Sequence, residues 1–167
     1  MPVNSSYLRY GIIFVLAMIF QATIISVIQI RNWKPDLVII LLVMFALRHG
    51  KSAGSTAGFF IGMIGDIVNW KLLGVGALSK TISGYVAGGA ARFFQDRSQV
   101  VLTFLFTLLI TGFLHDFLYF YLNTLGKEIS WGVLIFAQII PNLLYTAIIG
   151  VVIFFILSNW LDEDEQF

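Results

Sequence analysis

Between Arg9 and Arg31 the chain runs for 21 residues, Tyr10 to Ile30, without a charge. A helix needs about 20 apolar residues to cross the hydrocarbon of a bilayer. This stretch therefore reads as a membrane span. A cleavable signal peptide has an apolar part of about 7–15 residues and a small-residue cleavage site. The run is longer than that, and Ser26-Val27-Ile28-Gln29 is a poor cleavage site, so a retained helix is expected.

Composition extends the argument to the whole chain. Hydrophobic residues make up 59% and charged residues 11%, against about 25% charged in a soluble domain. Ten basic and nine acidic side chains cannot cover an 18.7 kDa soluble globule. A soluble enzyme and a disordered regulator are excluded. A net charge of +1 leaves no basis for a nucleic-acid partner. Without Cys there is no disulfide, thiolate nucleophile or thiolate metal site. The expected fold class is an all-α polytopic membrane protein with one membrane domain, residues 1–167.

Six spans are expected, at about 10–30, 36–47, 53–68, 77–91, 100–122 and 131–157, followed by an acidic tail at 158–167. Pro35 suits a helix start and disfavours helix at Lys34. Arg48-His49-Gly50-Lys51 ends the second span. Twelve helical residues rise only about 18 Å. The short second span must therefore either extend snorkelling flanks or sit inside the bundle, and a re-entrant pair over 53–91 is a further possibility. Six spans put both termini on one side. Arg9, Arg48, Lys51, Arg92 and Arg97 then fall on that side, against Arg31, Lys34, Lys71 and Lys127 on the other. The positive-inside rule places both termini in the cytoplasm. Trp33, Trp70, Trp131 and Trp160 sit at span ends, as headgroup-depth anchors do.

Three polar features interrupt the apolar pattern. Gly54, Gly58, Gly62 and Asp66 recur every four residues, as do Lys80, Gly84 and Gly88, so each set shares one helix face. Small residues at this spacing let two backbones approach closely. The bland reading is packing within the chain, and the sharper one is a contact with another protein. If the two helices form a hairpin, Asp66 and Lys80 both lie near its turn, and a salt bridge between them is expected. His115-Asp116 forms a second polar centre, read as a hydrogen-bonded pair. Two intramembrane aspartates, Asp66 and Asp116, invite an aspartic-peptidase reading, but neither has recognisable catalytic flanks. Gln138, Asn142, Thr146 and Gly150 form a third stripe, beside Pro141, which should kink the helix. Such a stripe packs against neighbouring helices or lines a ligand cavity. Gln21 and Tyr85 carry the same ambiguity. His49 and His115 lie in different spans without a third ligand, so no metal is expected. No phosphate loop or dinucleotide fingerprint is present, and no cofactor is expected.

One region carries a more specific signal. Pro35-Asp36 opens a leucine-rich span, and Leu47-Arg48-His49-Gly50 closes it. Gly58-Phe59-Phe60-Ile61-Gly62 and Asp66 follow, then Leu73-Gly74-Val75-Gly76-Ala77, Lys80-Thr81 and Gly84-Tyr85-Val86-Ala87-Gly88. In order and spacing these residues resemble the rod shape-determining MreD family. The resemblance is strongest over residues 33–90, and beyond residue 92 it is one of hydropathy. It falls on Pro35, Asp36, Gly50, Gly58, Gly62, Asp66, Gly74, Lys80, Gly84, Tyr85 and Gly88. Gly65 and Asn69-Trp70-Lys71 depart from the family pattern.

The resemblance implies a non-catalytic subunit of the bacterial cell-elongation machinery in the inner membrane. Its implied partner is MreC, a single-span protein with a periplasmic domain. Links to MreB, RodA and the elongation-specific penicillin-binding protein would run through MreC. It also implies a fold similar to the six-helix substrate-binding subunits of energy-coupling-factor vitamin transporters. The mechanism expected is a scaffold: the glycine faces, Gly54 included, make a rigid hairpin, and an exposed apolar face takes the membrane helix of MreC. A vitamin-type binding subunit and an intramembrane aspartic peptidase are the alternatives.

Overall fold

The computed structural model describes residues 5–23, 33–68, 72–94, 100–126 and 130–161. The described residues are helical apart from short connections, and no strand occurs among them. Helix α1 covers Ser5–Thr23 and α2 covers Leu37–Val68. Helix α3 covers Val75–Gly89, and a single turn, α4, covers Ala91–Phe94. Helix α5 covers Val100–Asn123. The last rod comprises α6 (Trp131–Leu134), a π-helical turn (Ile135–Ile139) and α7 (Ile140–Leu161). Among the described residues, three helices are long and apolar enough to cross a membrane by length and composition alone: Val100–Asn123, Trp131–Leu157 and, with its two halves counted together, Leu37–Val68.

Helix α2 is two arms rather than one rod. At Gly50 the backbone has φ 83° and ψ −176°, a conformation that favours glycine. Beyond it the chain folds back, so that a Cβ placed on Gly54 would lie 2.6 Å from Ala46 Cβ. The break falls inside the basic turn expected to end the second span. The acidic residues 162–165 and the turn residues Asn69-Trp70-Lys71 lie outside the described residues, as does the end of the first expected span.

Contacts fix the direction of every segment. Tyr10 meets Phe45 and His49, while Gln21 meets Leu37, so α1 runs against the first arm of α2. Gly54 meets Gly84 and Gly62 meets Ala77, so the second arm and α3 form an antiparallel hairpin. Phe104 stacks on Phe154 at 4.7 Å, and Gly112 meets Leu143, so α5 and α7 are antiparallel too. The result is six helical segments, alternating in direction, with Gly50 at one end and Asp36 at the other.

The first arm is the centre of the bundle. Every residue from Leu37 to Leu47 is buried. A helix apolar on all sides is stable only when it is surrounded, and the 13 residues at 37–49 rise only about 20 Å. Of the two expectations for this short span, shelter inside the bundle is the one realised. In a membrane such packing is held by van der Waals contact and hydrogen bonds rather than by expulsion of water.

The glycine stripes account for the tightest contact. A Cβ on Gly62 would stand 2.5 Å from Ala77 Cα, and one on Gly88 2.5 Å from Lys51 Cα. A Cβ on Gly58 would run into the carbonyl oxygen of Lys80, and one on Gly84 into that of Gly54. Backbone therefore lies on backbone along the whole α2–α3 seam. A third helix joins through Ser83, whose hydroxyl donates to the Thr111 carbonyl on α5 at 3.2 Å.

Candidate functional site

The N-terminus of the first arm is buried, so its free backbone N–H groups need partners. Three separate elements supply them. Asp36 caps its own helix, with its Oδ1 accepting from Ile39 N–H at 3.0 Å. Gln21 Oε1 on α1 accepts from Leu37 N–H at 2.8 Å. Thr146 Oγ1 on α7 accepts from Asp36 N–H at 3.1 Å. One turn earlier on the last rod, Asn142 Oδ1 accepts from Lys34 N–H at 3.1 Å.

Pro141 shapes that rod in an unexpected way. Lacking an N–H, it cannot donate to the carbonyl of Ala137, four residues earlier. The chain answers with the π turn at Ile135–Ile139, and the Trp33 indole N–H donates to the Ala137 carbonyl at 2.8 Å. Trp33, expected as a headgroup anchor, also latches the segment before α2 to the last rod. Trp131 is the more exposed ring, stacked on Tyr121 at 5.6 Å.

The charged groups lie just inside this latch. Lys80 Nζ sits 3.4 Å from Asp36 Oδ2 and 3.0 Å from His115 Nε2. His115 Nδ1 sits 3.1 Å from Asp116 Oδ1. An ammonium only donates, so His115 Nε2 must accept. The ring proton then resides on Nδ1 and is donated to Asp116. The four side chains form one chain, Asp36–Lys80–His115–Asp116, drawn from α2, α3 and α5.

The expected Asp66–Lys80 salt bridge is replaced by this arrangement. Asp66, only 2% exposed, instead caps α3. Its Oδ2 accepts from Gly74 N–H at 3.0 Å, Gly76 N–H at 3.0 Å and Ala77 N–H at 3.3 Å, and its Oδ1 from Gly76 N–H at 3.2 Å. The physical reason is local. Gly74 occupies the N-cap position with φ 97° and has no side chain to satisfy the first turn. The carboxylate also meets the positive end of the helix dipole there. The peptidase reading loses its geometry, because both oxygens of Asp66 are engaged by backbone rather than by Asp116.

Around the cluster lies a cavity of about 330 Å³. Gln21, Lys34, Lys80, Asp116, Gln138 and Asn142 supply its polar wall, while Met18, Ile61 and Val68 are among its apolar residues. The cavity is open at the Asp36 end of the bundle. The Gln138/Asn142/Thr146 stripe therefore divides: Asn142 and Thr146 hold the central arm, and Gln138 faces the cavity. Gly150 packs on Leu108 and Ile40.

The structure brings together Asp36, Asp66, Lys80 and Gly74 at this end. Gly54, Gly58, Gly62, Gly84 and Gly88 lie along the seam, and Gly50 is at the far end. Pro35 is buried next to Asp36. Tyr85 is 54% exposed and points away from the seam, with Lys51 Nζ 5.3 Å from its ring. His49 is at the end opposite His115, stacked on Phe45 at 4.4 Å. Sequence reasoning missed Thr146 as a helix cap and Gln21 as its counterpart on α1. The signal was available, since a buried helix start needs acceptors and Pro35-Asp36 marks such a start.

An antiparallel bundle of short helices, buttressed by an internal charge chain and opening into a polar cavity, defines a compact helical membrane protein. A family model described as rod shape-determining protein MreD matches residues 5–163. The chain belongs to this family, and is accordingly a rod shape-determining membrane protein. No curated protein and no solved structure matches it.

Proposed function

We propose that the chain is a non-catalytic scaffold of the cell-elongation complex in the inner membrane. Its direct partner is MreC, and MreB, RodA and the elongation-specific penicillin-binding protein are reached through it. Both termini are cytoplasmic. Arg9, Arg48, Lys51 and Arg92 cluster at the end where α1 begins and α7 finishes, which supports this orientation. The cavity then opens to the periplasmic side, where MreC carries its soluble domain. The membrane helix of MreC lies along an outward apolar face, and the chain just beyond that helix reaches the cavity.

The observation that carries this reading is the state of the polar groups in the cavity. Asp36 is paired with Lys80, Asp116 with the His115 ring and Asp66 with backbone N–H groups, so these charges already have partners within the chain. Gln21, Gln138 and Asn142 line the open space, and amides of this kind match the hydrogen-bonding groups of a peptide main chain. Filling the cavity tests it. Gln138→Trp should abolish co-purification with MreC and turn rod-shaped cells round, with the melting temperature of the purified chain retained. Normal co-purification and normal rods with the variant would refute the scaffold reading.

The cavity volume favours a second reading, a vitamin-type binding subunit, since small-molecule pockets span about 300–1,000 Å³. The polar cavity at one end of the six-segment bundle supports kinship with the substrate-binding subunits of energy-coupling-factor transporters. Saturable thermal stabilisation by a vitamin at micromolar concentration, together with unaltered MreC binding by Gln138→Trp, would favour this reading.

A further inference from the structure

The opposite end of the bundle has a different chemistry. All three carboxylates among the described residues, Asp36, Asp66 and Asp116, belong to the cavity end. Four of the described cations, Arg9, Arg48, Lys51 and Arg92, belong to the Gly50 end. Two of them stand out. Lys51 and Arg92 are exposed, and each lies against an aromatic ring: Lys51 Nζ is 5.3 Å from the Tyr85 ring, and the Arg92 guanidinium carbon is 4.7 Å from that of Phe93.

The fold holds these two cations on one small surface. Lys51 begins the second arm of α2, and its backbone lies against Gly88, with 2.5 Å between Lys51 Cα and a Cβ placed there. Arg92 follows Gly88 by one helical turn, on α4, which packs on α2. Tyr85 at Lys51 and Phe93 at Arg92 are 54% and 56% exposed, and Val86, next to Tyr85 in the chain, is 37% exposed. A basic pair rimmed by exposed aromatic and aliphatic side chains at the end of a membrane bundle offers two surfaces at once. The cations suit a phosphate, and the apolar rim suits the first carbons of an acyl chain. Rings beneath the cations hold them at headgroup depth without neutralising them.

We propose that Lys51 and Arg92 form a docking site for the phosphate of an anionic phospholipid. The site is separate from the cavity and does not depend on the scaffold reading. It anchors the α2–α3 hairpin to the charged leaflet that it faces.

The test uses the full chain in mild detergent, with native mass spectrometry after addition of phosphatidylglycerol or phosphatidylcholine of the same acyl composition. The wild type should retain phosphatidylglycerol preferentially, by about fivefold for each cation engaged. Lys51→Gln/Arg92→Gln should bring the ratio near one, while Lys51→Arg/Arg92→Lys should keep it. Lys34→Gln, an exposed cation at the cavity end, should also keep it. Equal retention of the two lipids by the wild type would overturn the proposal, as would a preference that survives the double Gln variant or disappears with Lys34→Gln. Retention of inorganic phosphate by the wild type with no retention of phosphatidylglycerol would assign the pair to a free anion and overturn the lipid site.

Discussion

Asp66 offers the sharpest test of how this bundle is held together. Its carboxylate accepts from the N–H groups of Gly74, Gly76 and Ala77 at 3.0–3.3 Å. Asp66→Ala would strand all three donors. An unsatisfied buried donor costs about 1–3 kcal/mol. Gly74 is half-buried and can recruit water from the cavity, so the expected loss from the other two donors is about 2–6 kcal/mol. Asp66→Asn keeps one acceptor oxygen and loses the charge assistance and the helix-dipole term, for about 1–2 kcal/mol. The contrast between the two variants is diagnostic. Had Asp66 been paired with Lys80, Asp66→Asn would leave a buried ammonium alone, at about 3–5 kcal/mol. Reversible unfolding in mixed dodecyl sulfate micelles, followed by circular dichroism, measures both. A cost below about 1 kcal/mol for Ala, or an Asn variant as damaged as Ala, would refute the capping role.

The Asp36–Lys80 pair should show coupling in the same assay: a double-mutant cycle of Asp36→Asn and Lys80→Met is expected to yield about 1–3 kcal/mol, and additive costs would break the charge chain. The glycine seam predicts a positional contrast. Gly58→Leu and Gly84→Leu should prevent folding, because the new side chain meets backbone, whereas Gly11→Leu should be tolerated, since nothing lies within 4 Å of the Cβ position. Gly62→Leu should likewise prevent folding, and with it MreC co-purification, because a Cβ there meets the backbone of Gly76 and Ala77. Loss of the complex with unaltered melting would place the seam at the partner interface instead.

The periodic features were legible because they are local. Gly54, Gly58 and Gly62 share a face whatever the rest of the chain does, and their antiparallel partner set repeats the same interval at Lys80, Gly84 and Gly88. Burial of the first arm was legible only as one of the alternatives: Leu37 to Leu47 is too short to reach across a bilayer alone, which left snorkelling flanks or enclosure by neighbours, and the packing realises enclosure. The partner of Lys80 was not legible. Asp36 lies 44 residues away, and proximity in sequence pointed to Asp66. What removes Asp66 from competition is a backbone need, the uncapped turn at Gly74-Val75-Gly76, which takes the nearest carboxylate before any ammonium does. The Gly-x-Gly helix start without Ser, Thr, Asp or Asn was the available sign. Pro141 makes the same point at the last rod. Its missing N–H orphans one carbonyl, and the donor that meets it, the Trp33 indole, is 104 residues distant. In lipid each polar group must be satisfied within the protein. The sequence therefore identifies which groups need partners, and only the packing of the central arm decides which partners lie within reach.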